Sequence, residues 1–193
     1  MHSSFQFDKY LVKRQVFSLT GKLRFFNSQD VLVLYCEQKM FKLREDIRLF
    51  SDEQKTQEVL AIKARQIVDF SACYDVIDSI TNEKVGALRR KGFKSILRDE
   101  WQVLDANEQI IGSLIEDSML LAVLRRFLVG SLLPQNYDLI INSERAADLK
   151  QRFNLFRYEL DLDFSVESVS RVDHRLGIAA ATLLAIIEGR QEN

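Results

Sequence analysis

Leu176 to Ile187 reads LGIAAATLLAII, twelve residues of which only Gly177 and Thr182 are not strongly apolar. As a helix the segment would reach roughly 18 Å, short of the ~30 Å hydrocarbon core of a bilayer. It has no charged face to hold it at a membrane interface. Burial on every side inside protein is the remaining solution, and 193 residues suffice for one sizeable core around it. Asp173 is placed to cap the first turn, and Gly189 with Arg190 to stop the last. The small residues Gly177, Ala179, Ala180 and Ala181 let the surrounding backbone come close.

Strands are the material for the surrounding wall. From Tyr10 to Ile115 the chain consists of short runs rich in β-branched and aromatic residues, bounded by turn residues, and its one proline is Pro134. Strands are expected at Tyr10–Val12, Lys22–Phe26, Val31–Cys36, Ile47–Phe50, Glu58–Ala64, Tyr74–Asp78, Val85–Arg90, Trp101–Leu104 and Ile110–Ile115. SLTG, FNSQD, TNEK and DANEQ carry the chemistry of tight turns between them. YDLIIN and YELDLDF return to strand character after Pro134. Between the two groups, Leu120, Val123, Leu124 and Phe127 share a helical face, and one further helix is expected over Ser118–Leu128, with Gly130 ending it. A closed antiparallel sheet wrapped around the final helix buries that helix and removes exposed strand edges.

The stretch YDVIDSITNEKVGALRRKGFKSILRDEWQVLDANEQIIGSLIED, Tyr74 to Asp117, resembles the repeated hairpins of the LURP-one-related and phospholipid scramblase families, members of the tubby C-terminal-like group. The closing DHRLGIAAATLLAIIEGR resembles their final hydrophobic helix, and the likeness extends back to the opening KYLVKRQVFSLTGKLRFFN. It implies a single mainly β domain over residues 1–193, a closed barrel of about twelve strands with the helix along its axis. Scramblase relatives carry Pro-rich and Cys-rich N-terminal extensions, which are not found here, and a calcium segment before the final helix. The matching stretch, YELDLDFSVESVSRVDHRL, sets Glu159, Asp161 and Asp163 on one strand face but lacks the loop glycine and closing glutamate of an EF-hand. A solvated strand face is expected there, and scrambling activity does not carry over.

Catalytic signatures are missing: the chain contains no GxGxxG, phosphate-binding Walker loop, HExxH or GxSxG. Its two histidines, His2 and His174, lack metal-ligand spacing to a partner, and His174 reads as a boundary residue at the helix entrance. Cys36 and Cys73 sit in apolar runs without CxxC spacing and are expected to be reduced thiols. No enzymatic activity, metal or cofactor is expected.

The marked charge feature is KVGALRRKGFKSILR, which holds Lys84, Arg89, Arg90, Lys91, Lys94 and Arg98 and no acid. On one rim of a hairpin, with Gly92 turning the chain and Phe93 exposed, these six bases are phosphate- or lipid-binding candidates. The competing reading is a solvated barrel face whose bases pair with neighbouring acids. Tubby domains bind anionic phosphoinositide headgroups through basic strand residues, so the resemblance implies a binding module for anionic lipid at a membrane surface. A protein-interaction or structural barrel with no lipid ligand is the alternative. A small-molecule carrier would need an internal pocket that the helix should fill. The 28 acids and 27 bases leave a net charge of −1, which disfavours nucleic acid as a partner. With no membrane-spanning segment and no signal-like run behind MHSSFQFDKY, a cytoplasmic protein is expected, free or peripherally bound to membrane.

Overall fold

The computed structural model describes residues 1–15, 20–39, 46–65, 72–91, 100–116, 134–154, 157–166 and 172–187. Among the described residues, twelve strands precede one α-helix: β1 Lys9–Gln15, β2 Thr20–Phe26, β3 Leu32–Lys39, β4 Ile47–Phe50, β5 Glu58–Ala64, β6 Cys73–Asp78, β7 Glu83–Arg90, β8 Glu100–Asp105, β9 Ile110–Glu116, β10 Asn136–Ile141, β11 Glu144–Arg152, β12 Arg157–Asp163 and α1 His174–Ile187. Each strand pairs antiparallel with its neighbour in sequence, and β12 closes on β1 from Lys9↔Asp163 to Gln15↔Arg157. This is the closed barrel expected from the sequence. The expected helix over Ser118–Leu128 and the stop at Gly189 and Arg190 lie outside the described residues.

Alternation decides which side chains face inward. In β12 the buried Tyr158, Leu160 and Leu162 alternate with Glu159, Asp161 and Asp163 on the outer face, and β6 buries Tyr74, Val76 and Asp78 in the same way. Strand β11 was not anticipated. Its sequence ERAADLKQR is charged and alanine-rich, with weak intrinsic strand preference, and it is held by pairing with β10 on one side and β12 on the other.

An up-and-down meander sends alternate connections to opposite ends of the barrel. At the end where α1 enters, the hairpins are tight, and the non-glycine residues with positive φ among the described residues all fall there: Asp30, Lys55, Asn82, Glu108, Asn142 and Ser143. Asn142 and Ser143, at φ 50° and 69°, form the two-residue β10–β11 link, matching the mirror-image turns that suit a twisted hairpin. The Asn27 Oδ1 accepts the amides of Gln29 and Val31, and the Asp105 Oδ1 accepts those of Asn107 and Gln109, so each turn's own polar residue satisfies its backbone.

The helix fills the barrel. Leu176, Ile178 to Ala181 and Leu183 to Ala185 are buried, and the Thr182 hydroxyl donates to the Ile178 carbonyl at 2.7 Å, so the one polar side chain in this run is satisfied within the helix. The Phe164 ring stacks on His174 with centroids 3.9 Å apart, and a Cβ on Gly177 would lie 2.5 Å from that ring, which is why glycine stands there. Asp173 caps the helix as expected, its Oδ1 accepting the Arg175 amide at 3.0 Å.

Arg175 locks the helix entrance to the wall. Its guanidinium donates to Asp173 on its own chain segment and, at 2.6 Å, to the buried Asp78 at the end of β6. Burial alone would push the Asp78 carboxyl up, but the amides of Thr81 and Ile80 and the Arg175 guanidinium outweigh it and hold the carboxyl below its ordinary value.

This packing fixes what substitutions in the helix and at its entrance should do to stability. Leu183→Ala should cost about 2–5 kcal/mol in urea unfolding, the range for emptying a core leucine site. Thr182→Val, which removes a hydroxyl that bonds only locally, should stay within about 1 kcal/mol of the native chain. Asp78→Asn should cost about 3 kcal/mol at neutral pH, because it leaves the buried guanidinium short of a charge partner. Since the folded value of Asp78 lies below its unfolded value of about 3.9, its contribution is full above that pH and declines as pH falls below it. Denaturation between neutral pH and about pH 3 should therefore show a shallower acid loss in Asp78→Asn than in the native chain.

Candidate functional site

Strand β7 runs from the helix-entry end to the opposite end, and it distributes the basic residues accordingly. Lys84 lies near the helix-entry end, about 16 Å along the strand from Arg89 at ~3.3 Å per residue. There it is already engaged. The β8–β9 turn brings Glu108 against Lys84 and Arg65, and Asp75 of β6 joins at 3.0 Å from Lys84 and 2.5 Å from Arg65. Hydrogen bonds from Arg65 and Lys84 hold the Glu108 carboxyl at about 2, well under the usual glutamate value.

The other end of β7 is different. Lys91 contacts Glu100 at 2.5 Å, and the Arg90 guanidinium lies 5.9 Å from the Trp101 ring centroid. Arg89 donates to a neutral acceptor, Gln102 Oε1, at 2.8 Å. Lys94 and Arg98, together with Gly92 and Phe93, lie outside the described residues. Beside Arg89, the outer face carries bases that the sequence reading did not single out. Arg65 and Arg89 flank Cys73 on either side of β6, and exposed Lys63 is paired across the sheet with Asp75 of β6. With neighbouring strands ~4.8 Å apart, Arg65 is level with Arg89 at about 10 Å, and Lys63, two residues back along the sheet, is about 12 Å from it. Among the described residues no acid stands within ion-pair distance of Lys63 or Arg89. Their adjacency is set by register across three strands, and a meander alignment of LAIKAR against CYDVID was the signal that could have found it.

Across the barrel, β1, β11, β12 and the β2–β3 turn enclose a groove of about 480 Å³. Its charges are matched pairwise: Lys9 with Asp163 at 2.8 Å, Lys150 with Asp148 at 3.0 Å and Arg152 with Asp161 at 2.6 Å. Asp138, Asp148 and Asp163 stand side by side in one cross-strand row, a repulsive arrangement that Arg145, Lys150 and Lys9 offset. The strand-face acids Asp161 and Asp163 are thus held by bases, and no group of three or more His, Cys, Asp or Glu among the described residues is placed to hold a metal ion.

The two cysteines are free. Cys36 is fully buried and its thiol is pushed up to about 12 by that burial; Cys73, only partly buried, is raised as well, chiefly by desolvation. Among the described residues no helix is long and apolar enough to cross a membrane.

The architecture defines a twelve-stranded meander barrel with a buried axial helix and a charge-lined exterior. The LURP-one-related family model matches residues 32–185, and the chain belongs to that family. No curated protein and no solved structure matches it.

In the native protein a bulky aromatic disulfide reagent should titrate at most one thiol, Cys73, and two once the chain is unfolded in denaturant. Rapid modification of both thiols without denaturant would contradict the burial of Cys36.

Proposed function

We propose that the protein is a non-enzymatic binding module that recognises the phosphate-bearing headgroups of anionic lipids at a membrane surface. The observation that carries this reading is the pair Lys63 and Arg89 on the outer face of β5 and β7, which have no acidic partner among the described residues and flank a single strand. Lys91 follows at the same strand end, where it contacts Glu100, while Arg90 turns to the other face against the Trp101 ring, and Lys94 and Arg98 follow in sequence. A guanidinium and an ammonium at that separation suit a phosphate with several acceptor oxygens. The likeness to the tubby C-terminal-like group, whose members bind such headgroups through basic strand residues, supports the same reading. Lys84 is assigned a structural role, because Glu108 and Asp75 occupy its ammonium. The alternative is a protein-interaction barrel with no lipid ligand; the groove with its alternating charges is the feature in its favour.

Co-sedimentation with phosphatidylcholine vesicles, with and without a phosphoinositide, tests the proposal. Binding should require the anionic lipid, weaken with added salt, and fall at least about tenfold in the Lys63→Glu, Arg89→Glu double variant. Lys84→Ala should bind as the native chain does. Equal binding by the double variant overturns the assignment of the site, and a native chain that ignores anionic vesicles overturns the lipid reading in favour of a protein partner.

A further inference from the structure

The near-zero net charge conceals a division along the barrel axis. At the helix-entry end, the described connections hold Asp8, Asp30, Asp52, Glu53, Glu108 and Asp173 against Lys55, and the strand termini there add Glu58, Asp78, Glu83, Asp105, Glu144 and Asp163 against Lys9, Lys84 and Arg145. At the opposite end, the strand termini and described connections carry Lys63, Arg89, Arg90, Lys91, Arg152 and Arg157, set against the acids Asp46, Glu100 and Glu116, with Lys91 matched to Glu100 and Arg152 to Asp161. The axial helix has the matching polarity: its N-terminus, the positive end of its dipole, lies at the acidic end, and its C-terminus points to the basic one.

One feature of the basic end has no role in the fold. Phe153, in the β11–β12 turn, is 63% exposed. It follows Arg152 and lies near Arg157, an exposed base with no acid in ion-pair distance among the described residues. The comparably open aliphatic side chains Val31, Ile80 and Ile110 belong to hairpins of the acidic end, which an anionic surface repels. Arg152 is matched to Asp161, which leaves Arg157 as the open cation, and an aromatic ring beside an open cation is the combination that seats a protein at a lipid headgroup boundary.

We infer that the barrel meets an anionic lipid surface end-on, with Phe153 entering the interface as an anchor beside Arg157, four strands around the ring of twelve from the Arg89 site. This rests on the membrane-surface reading above and adds to it a second contact and an orientation. Two contacts that far apart on one rim hold the barrel axis upright, with the acidic hairpins facing away from the membrane.

The test uses vesicles of phosphatidylcholine and phosphatidylserine, with brominated acyl chains in a parallel set. Phe153→Ala should bind about fivefold more weakly than the native chain, the loss expected for a partly inserted ring. Phe153→Trp should shift its emission to the blue on these vesicles and be quenched by the bromines. Ile80→Trp, at the acidic end, should do neither, and buried Trp101 gives the background in both. Circular dichroism confirms that each variant is folded. If the native chain sediments with the vesicles while the Phe153→Trp fluorescence is unquenched and Phe153→Ala binds normally, the end-on anchor is wrong and the Lys63–Arg89 site stands. If Ile80→Trp is quenched instead, the orientation is reversed and the inference fails. If the native chain stays in the supernatant, the anchor and the site both fall.

Discussion

A helix without a polar face has one thermodynamic solution in water: every direction around it must be covered. At 14 residues α1 is about 21 Å long, close to the height of a ring of seven-residue strands, so a single closed sheet can cover it from end to end. The wall in turn depends on the helix. Inward side chains from strands on opposite sides of a twelve-stranded ring cannot meet across its centre, and without α1 the barrel would enclose an apolar void. Gly177 against Phe164, and Gly86 against the Leu104 carbonyl, show how closely the parts approach: an added Cβ would come within 2.5 Å and 2.3 Å of its neighbour.

With the interior committed to packing, chemistry is left to the exterior. There the chain spends most of its charges on one another, and the Arg65, Asp75, Lys84 and Glu108 cluster pins the β8–β9 turn against β6 and β7. Exposed pairs of this kind contribute little stability individually. Their effect is to neutralise some bases and leave others available, so a run of cations in sequence becomes, in the fold, a few open ones among many that are matched. The arginine and lysine content of a segment therefore says less about binding than the cross-strand register that decides which bases meet an acid.

Much of the fold was legible because its signals are local. The apolar period of residues 176–187, the alternation in YELDLDF and the turn chemistry of FNSQD and DANEQ each act within a few residues. Strand β11 was not legible, since ERAADLKQR becomes a strand through partners on both sides and not through its own preference. The lock between Arg175 and Asp78 joins positions 97 apart in sequence, and Lys63 and Arg65 reach Arg89 only across β6. The candidate site was thus half visible: the bases of β7 stand out in sequence, while their neighbours and the pairing of Lys84 depend on register. The axial division of charge was hidden because totals of 28 acids and 27 bases average over alternate hairpins that the meander sends to opposite ends.

The order of elements along the chain has a consequence for synthesis. The core segment follows all twelve strands, and the strand that closes the ring, β12, is the last of them. During translation the growing chain carries apolar strand faces with nothing to cover them, and neither the ring nor its filling can form until the C-terminal residues have left the ribosome. Folding is then dominated by contacts between the chain's distant parts, which makes it slow and leaves open edges exposed to aggregation in the meantime. A chain that stops before α1 lacks the element around which the strands pack, and its inward apolar faces would stay open to water.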